Sequence, residues 1–295
     1  MSRHFRGFVL VTLSAGAYSL AGFFTRLISL DAWTMLFWRG LFAGVFIAGF
    51  ILYRERRNAL PSVRAIGRPG AAAALLSTLA TIMFLNAFRR TSVADVMVIA
   101  ATIPFFTAAI GWIWLRERES WSTLAASLGA LLGVSVMVGG AIGQGHLVGD
   151  LLAFGMTLCM ALMLLIIRRH RDVSMLPAAC LSALLCPLFV WPVAAPLGVT
   201  LTELLFLVLF GTVQFGLGLV FLTLGGQLVT ATENALVSTL ETPMAVLWVW
   251  LAFQEIPPTP SVLGGLIVMA AVAAHVCWTA TAAGTRTRLD QRNTA

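Results

Sequence analysis

Two charged side chains, Arg39 and Glu241, lie inside long apolar runs of this sequence. A charged group at membrane depth costs free energy unless it faces a cavity or a partner, so both are candidates for function. The guanidinium of Arg39 could hold a substrate carboxylate through two parallel hydrogen bonds. The carboxylate of Glu241 could receive an ammonium group or carry a coupling proton. Arg39 could equally extend to the outer surface or pair with an acid, and Glu241 could be that partner.

Neutral polar, aromatic and methionine side chains in the same runs extend this set. Amide and hydroxyl groups could bind the polar end of a zwitterion, or they could simply join helices. Methionine is flexible and polarisable, which suits varied apolar ligands, although it is also common in helix cores. The predicted substrate-binding residues are Tyr18, Trp38, Arg39, Met83, Asn86, Met97, Thr107, Met156, Met160, Met163, Gln214, Ser238 and Glu241.

Catalytic and metal-binding motifs are not found in the sequence. There is no Cys-x-x-Cys or His-Glu-x-x-His pattern. His275 stands alone in the last apolar run, and we expect it to be packed rather than to carry protons, because no acidic residue lies within one helical turn of it. Glu233 and Asp95 come at the ends of runs, where hydration is easy, and are expected to be boundary residues. We therefore predict no catalytic residue, no metal site and no cofactor.

The composition indicates that most of the chain is surrounded by lipid rather than by water. Of 295 residues, 59% are apolar and 11% are charged, whereas ordinary soluble domains have about 25% charged residues. This excludes a soluble enzyme or a soluble binding module. All 19 basic residues are arginine, so chemistry that requires a lysine amine, such as the P-loop lysine, is excluded. The net charge of +7 is explained by cytoplasmic loops of a membrane protein rather than by nucleic-acid binding.

Ten apolar runs have the length of about 20 residues that a bilayer-crossing helix needs. They leave connections too short for a further domain. The predicted spans are Phe8 to Ile28, Trp33 to Tyr53, Gly70 to Phe88, Val93 to Leu115, Trp121 to Gly140, Gly149 to Ile167, Met175 to Ala195, Leu201 to Leu224, Glu233 to Phe253 and Ser261 to Ala280.

The arginines predict the orientation of these spans. With the N-terminus inside, 15 arginines fall on the inner side and three on the outer side, and Arg39 lies within a span. Because cytoplasmic loops collect positive charge, both termini are expected in the cytoplasm.

The two halves of the sequence resemble each other. Gly7 and Arg26 match Gly149 and Arg168 at a constant offset of 142 residues. Pro104 and Pro243 occupy equivalent places in the fourth and ninth spans, where each is expected to break or bend its helix. We therefore predict two five-helix repeats, residues 1–143 and 144–295. An odd number of spans per repeat inverts the second copy, as in many secondary transporters that alternate access around a midplane site, although a purely structural duplication would give the same pattern.

These features together resemble the EamA-type branch of the drug/metabolite transporter superfamily. The resemblance rests on five plus five helices, the two mid-helix prolines, Leu115 to Arg118 (Leu-Arg-Glu-Arg) and a glycine-bearing last helix in each half. The second copy departs from the pattern, since the segment 254–258 replaces the charged cluster and makes Glu255 a weaker match than Glu117. Within the branch the chain looks most like the YddG-type exporters of aromatic and other apolar amino acids.

The resemblance implies an all-α integral membrane protein of the bacterial inner membrane. Its spans 1–4 and 6–9 would line a central cavity, with spans 5 and 10 packed outside. The expected function is export of small apolar metabolites, above all aromatic and other hydrophobic amino acids, by alternating access of a monomer in the lipid bilayer. Efflux of drug-like or other amphiphilic compounds is the alternative within transport. A membrane scaffold or an intramembrane enzyme is the alternative of another class.

Overall fold

The computed structural model describes residues 3–55, 59–88, 90–91, 93–138, 147–254 and 259–293. Over these residues the backbone is helical, with short connections and no β-strand. Seven helices are long and apolar enough to cross a membrane, and two shorter apolar helices, Trp121–Met137 and Leu176–Val190, accompany them. The prediction of an all-α membrane protein is confirmed.

The helix bounds follow the predicted spans closely. The helices are α1 (Arg3–Ser19), α2 (Ala21–Leu27), α3 (Ala32–Glu55), α4 (Ala59–Ala65), α5 (Gly67–Phe88), α6 (Val93–Ala100), α7 (Ile103–Trp114), α8 (Trp121–Val138), α9 (Leu147–Arg169), α10 (Leu176–Val190), α11 (Leu201–Leu209), α12 (Gly218–Gly226), α13 (Ala231–Ser238), α14 (Glu241–Phe253) and α15 (Thr259–Asn293). A π-helical segment, Phe210–Leu217, joins α11 to α12.

Within the described residues, fourteen of these helices form ten units that we number spans 1 to 10, and α4 lies in the connection between spans 2 and 3. Four spans are composite: span 1 is α1 with α2, span 4 is α6 with α7, span 8 is α11 with the π-helical segment and α12, and span 9 is α13 with α14. Spans 2, 3, 5, 6, 7 and 10 are α3, α5, α8, α9, α10 and α15.

Three span ends differ most from the prediction. Span 1 begins at Arg3 rather than Phe8. Span 7 ends at Val190 rather than Ala195, since Pro192 has no N–H for the next helical hydrogen bond. Span 10 continues to Asn293, beyond the predicted end at Ala280.

Contacts between spans repeat from one half to the other. Span 3 packs on spans 6 and 7, and its counterpart, span 8, packs on spans 1 and 2. Span 4 packs on span 6, and its counterpart, span 9, packs on span 1. Spans 2 and 7, 4 and 9, and 5 and 10 pack against each other. This pattern is unchanged when spans 1–5 are exchanged for spans 6–10, which is consistent with two related halves. The predicted boundary between residues 143 and 144 lies outside the described residues, as does Glu255.

Spans 4 and 9 are interrupted at equivalent places. α6 ends at Ala100 and α7 begins at Ile103, with Pro104 in its first turn. α13 ends at Ser238 and α14 begins at Glu241, with Pro243 in its first turn. The hydroxyl of Thr239 donates to the carbonyl oxygen of Leu236, at 2.6 Å, so the break keeps a local hydrogen bond.

The largest core cluster joins spans 2, 3, 6, 7, 8 and 9. Spans 5 and 10 pack on each other through small residues instead. A Cβ added at Gly133 would lie 2.8 Å from the carbonyl oxygen of Gly264, and one at Gly129 would lie 3.1 Å from the Cβ of Ala271. Small residues allow this close approach of two helices within a membrane.

Candidate functional site

Arg39 lies on span 2, with its guanidinium against two phenylalanine rings of span 8. The Cζ atom is 4.4 Å from the centroid of the Phe215 ring and 5.4 Å from that of Phe210. A cation over an aromatic face gains about 2 kcal/mol when both are desolvated. The Nε atom is buried without a hydrogen-bond partner, and among the described residues no acid forms an ion pair with Arg39 within 4.0 Å. In the described structure the guanidinium therefore has aromatic neighbours and no acidic ion-pair partner.

The two rings belong to the π-helical segment of span 8. Segments of this kind occur frequently at functional sites. Gly211, within the segment, lies directly against the backbone of span 2: a Cβ added there would be 2.6 Å from the Cβ of Phe42 and 2.9 Å from the carbonyl oxygen of Arg39. The glycine thus permits the close approach that brings Phe210 and Phe215 over the guanidinium.

Gln214 joins the same segment to span 1. Its Nε2 donates to the carbonyl oxygen of Tyr18 at 3.3 Å, whereas its Oε1 is buried without a partner. The ring of Tyr18 packs beside Phe215, with centroids 6.3 Å apart. The Nε1 atom of Trp38 is also buried without a partner. Since an unsatisfied buried polar atom costs about 1–3 kcal/mol, these groups together indicate a place that a ligand or water completes.

Glu241 is the first residue of α14 and follows the break in span 9. It interacts electrostatically with Arg39 and with Tyr18. Within the described part of the chain, Glu241 has no ion pair within 4.0 Å. We call Tyr18, Trp38, Arg39, Gln214 and Glu241 the central polar site. All five are among the residues predicted from the sequence.

The predicted hydroxyl and amide residues outside this site have local partners or lie at helix ends. Asn86 donates through Nδ2 to the carbonyl oxygen of Ile82 at 2.9 Å. Thr107 is buried and donates to the carbonyl oxygen of Pro104 at 2.8 Å, and its Oγ1 is 3.2 Å from that of Thr232. Ser238 is the last residue of α13.

The predicted methionines lie at several interfaces. Met83 of span 3 faces Gly155 of span 6. Met163 belongs to the largest core cluster and Met160 packs against it, while Met156 is also buried. Met97 packs with Ala101, Val134 and Val268, towards spans 5 and 10.

Four residues beside the central polar site are not among the predicted ones. Phe210 and Phe215 supply the rings over Arg39. The Nε1 atom of Trp248 donates to the hydroxyl of Ser19 at 2.8 Å, which ties span 9 to span 1. A signal for Phe210 was present in the sequence, because it precedes Gln214 by four residues and so lies on a similar helix face.

A family model, described as the EamA-like transporter family, matches the chain twice, over residues 5–139 and 147–277. The chain belongs to this family. It is therefore a multi-pass membrane protein of a transporter family. This EamA-like transporter also matches solute carrier family 35 member G1 of Mus musculus, with 27% identity over 214 residues. The match covers 64% of this chain and 56% of the mouse protein, so the chain spans little more than half of that relative.

A crystal structure shares the fold of this EamA-like transporter. It superimposes with a TM-score of 0.78, covering 90% of this chain and 95% of the other, at 14% sequence identity. At that identity the likeness concerns the fold alone.

A second polar cluster of the transporter lies at one end of the bundle. There His4, at the start of span 1, places its Nε2 3.0 Å from Oε2 of Glu233. Nearby, Arg168 at the end of span 6 approaches Glu117 at 3.4 Å. We call the end of the bundle that carries His4, Glu233, Glu117 and Arg168 the arginine-rich end. Glu233 is only 5% exposed, so the expectation of a hydrated boundary residue is wrong. The side chain of Asp95 lies outside the described residues.

Proposed function

We propose that this transporter exports zwitterionic amino acids with large apolar side chains, aromatic ones above all, and binds them at the central polar site. The observation that carries the proposal is the buried, unpaired Arg39 held over Phe210 and Phe215. A guanidinium offers a planar pair of donors that matches a carboxylate. Glu241, which interacts with Arg39 electrostatically, would receive the substrate ammonium.

The surroundings of Arg39 support an apolar side chain on the substrate. Trp38 stacks on Phe42, with centroids 5.4 Å apart, and Phe210 and Phe215 face the guanidinium. Aromatic side chains contribute large apolar area and favourable ring–ring contacts. A substrate with an indole, phenyl or thioether side chain would pack against these rings.

The charge pattern favours a zwitterion over a drug-like cation. A cation exporter needs an acid free to bind and has no use for a free guanidinium. Among the described residues, Arg39 and Glu241 are both without an ion pair. A ligand that carries both charges would satisfy both residues without leaving a net buried charge, which is costly in hydrocarbon.

We further propose the YddG-type mode of transport for this protein. The repeats, residues 1–143 and 144–295, would rock against each other around the central polar site, with the breaks in spans 4 and 9 as points of bending. The two separate matches of the family model support this division. The 15 arginines on one side support a bacterial inner-membrane protein with both termini in the cytoplasm. It would act as a monomer.

Counterflow in proteoliposomes tests the substrate. Vesicles are preloaded with tryptophan, phenylalanine or methionine, and uptake of the labelled amino acid is measured against protein-free vesicles. Tryptamine, which lacks the carboxylate, and indole-3-propionate, which lacks the ammonium, serve as competitors. We expect tryptophan to compete best. Equal rates with and without protein would refute the amino-acid proposal.

Substitutions at the two charges test the assignment of each. Loss of a hydrogen bond to a charged group costs about 1.5–3 kcal/mol, so Arg39→Gln and Glu241→Gln should each weaken substrate binding about 10- to 100-fold. Arg39→Lys keeps the positive charge but not the paired donors, so its substrate affinity should lie between those of the parent and Arg39→Gln. Arg64→Gln is the matched control, because Arg64 is exposed on α4. If Arg39→Gln keeps the parental rate, Arg39 does not hold the carboxylate.

A further inference from the structure

Two histidines and one glutamate from three spans meet at the arginine-rich end. His4 of span 1 contacts Glu233 of span 9 at 3.0 Å. His275 of span 10 approaches the other carboxylate oxygen of Glu233 at 3.7 Å. His275 is 3% exposed, and both its ring nitrogens lack a hydrogen-bond partner. The acid that His275 lacks along its own helix is therefore supplied by a neighbouring span.

Glu233 is fixed in place by its own backbone. Thr230 and Glu233 form a capping box at the start of α13, in which the Thr230 N–H donates to Oε2 of Glu233 at 2.9 Å. The ring of Phe8 contacts both imidazoles edge-on, with centroids 4.9 Å from His4 and 6.0 Å from His275. The carboxylate is therefore the only polar link between the two imidazoles in the described structure.

Other charged groups face the cluster from the elements packed around it. Glu119, in the connection between spans 4 and 5, accepts a hydrogen bond from the Thr230 hydroxyl at 3.3 Å. Burial is the main cause that raises the pKa of the Glu119 carboxyl, and the charge of Glu233 acts in the same direction. Arg168 of span 6 acts electrostatically on His4 and is itself paired with Glu117. On span 1, Arg3 and Arg6 are exposed.

The charge balance of the cluster indicates how many protons it binds. With both imidazoles neutral, His4, Glu233 and His275 carry one negative charge, and with both protonated they carry one positive charge. Burying an uncompensated charge costs several kcal/mol. A single proton on either imidazole makes the cluster neutral. The neutral cluster leaves no uncompensated charge among these three groups at the buried Glu233 and His275.

We propose that His4, Glu233 and His275 form a proton-binding site that takes up one proton and thereby latches span 1 to spans 9 and 10 at the cytoplasmic end. The latch joins the N-terminal half of the chain, through His4, to the C-terminal half, through Glu233 and His275. Proton binding holds this end closed. Proton release leaves a negative carboxylate facing two neutral imidazoles and lets span 1 separate from span 9. The proposal does not depend on the identity of the transported solute.

Histidine NMR tests the proton site directly. The full-length protein in nanodiscs carries ring-labelled histidine and is titrated from about pH 5.5 to about pH 8.5, a range that brackets the ordinary imidazole pKa of about 6.5. Signals are assigned with His4→Gln and His275→Gln. We expect the His275 signal to change together with that of His4, and Glu233→Gln to lower the midpoint of His4, because that midpoint depends on the hydrogen bond with Glu233. Glutamine also serves in a capping box, so this variant keeps the start of α13. Independent behaviour of the two signals, or a His4 midpoint unaffected by Glu233→Gln, would overturn the proposal.

Spin-label distances test the latch. Labels are attached at cysteines placed at Arg3 of span 1 and Ala274 of span 10, two exposed positions in opposite halves of the chain, after Cys159, Cys180, Cys186 and Cys277 are replaced. We expect one short distance at low pH and an added longer one at high pH. His4→Gln should show the longer distance at all pH values. His170→Gln is the matched control and should behave as the parent, because His170 hydrogen-bonds to Ile166 outside the cluster. A pH response that survives His4→Gln, or no response in the parent, would refute the latch. No solute is present, so this result is separate from the outcome of the counterflow experiment.

Discussion

Replacing Gly211 by alanine tests the claim that close packing of spans 2 and 8 builds the central polar site. The added Cβ would lie 2.6 Å from the Cβ of Phe42, 2.9 Å from the carbonyl oxygen of Arg39 and 3.3 Å from the N atom of Ala43. These are backbone atoms and the first side-chain atom of a helix, which no rotamer change can move away. Ordinary carbon contacts begin at about 3.5 Å, so the two spans must shift apart by several tenths of an ångström or more.

The expected free-energy change follows from two opposing effects. Overpacking a tight contact costs about 1–3 kcal/mol, and the backbone atoms at this contact favour the upper end of that range. Alanine regains up to about 1 kcal/mol relative to glycine within an α-helix. Gly211→Ala should therefore destabilise the protein by about 2 kcal/mol. It should also slow transport, since Phe210 and Phe215 move away from the guanidinium.

Gly49→Ala is the matched control on span 2. Gly49 is exposed, and an added Cβ there meets no atom within 4 Å. The same chemical change should therefore be neutral or stabilising by up to about 1 kcal/mol. Unfolding by sodium dodecyl sulphate, followed by far-UV circular dichroism, measures both variants against the parent. If Gly211→Ala is as stable as Gly49→Ala, span 8 does not depend on that contact and the packing argument is wrong.

Two further substitutions test hydrogen bonds at the start of span 2 and between spans 1 and 9. Asp31 accepts from the N–H groups of Trp33 and Thr34 at 2.9 and 3.1 Å, so Asp31→Ala should cost about 1 kcal/mol of stability and Asp31→Asn much less. Partial burial would raise the pKa of Asp31, but the hydrogen bonds from Thr34 and Trp33 outweigh it and lower the pKa. The stability that Asp31 contributes is therefore fully present above the unfolded-state pKa of about 3.9 and disappears as the pH falls. A pH series of unfolding curves measures this loss. Trp248→Phe removes the 2.8 Å hydrogen bond to Ser19 and should lower the unfolding free energy by about 1 kcal/mol, whereas no loss relative to the parent would show that the bond does not hold spans 1 and 9 together.

The sequence was sufficient for the spans because hydropathy and helix ends are local properties. Runs of apolar residues, bounded by arginines, prolines and glycines, give the helix positions to within a few residues for most spans. The end of span 10 is the main exception, since the charged segment after Ala280 lacks the hydropathy by which spans are recognised, yet remains helical to Asn293. In this segment the residues favour a helix although they are too polar to lie within a membrane.

The central polar site could be predicted residue by residue but not as an arrangement. Tyr18, Trp38, Arg39, Gln214 and Glu241 each stand out as polar or aromatic groups in apolar runs. They come from spans 1, 2, 8 and 9, and nothing local in the sequence shows that these four spans meet. The sequence also does not show the rings over the guanidinium of Arg39, or the lack of an acid partner within 4.0 Å among the described residues.

His275 shows the limit of reasoning along a single helix. An acid one turn away on span 10 would have marked it as a proton carrier, and none is present. The acid comes instead from Glu233, about 40 residues earlier in the chain. The spacing of Thr230 and Glu233 predicts part of this arrangement. Thr-x-x-Glu before an apolar run is typical of a capping box, which holds the glutamate at the start of a helix. It does not reveal the two histidines beside it.

Span 9 connects the two polar regions of the protein. Glu233 is on α13 and Glu241 is on α14, eight residues apart, which corresponds to about 12 Å along a helix. The break at Thr239 and Leu240 lies between them, so a tilt of α13 relative to α14 would be concentrated there. In the proposed latch, His4 and His275 hold Glu233, which would fix α13 and keep Glu241 in its position relative to Arg39. Release of Glu233 frees α13, and we expect the resulting tilt to change the geometry of the central polar site. A solute that holds Glu241 and Arg39 together should in turn change proton affinity at Glu233, since coupling between two sites acts equally in both directions.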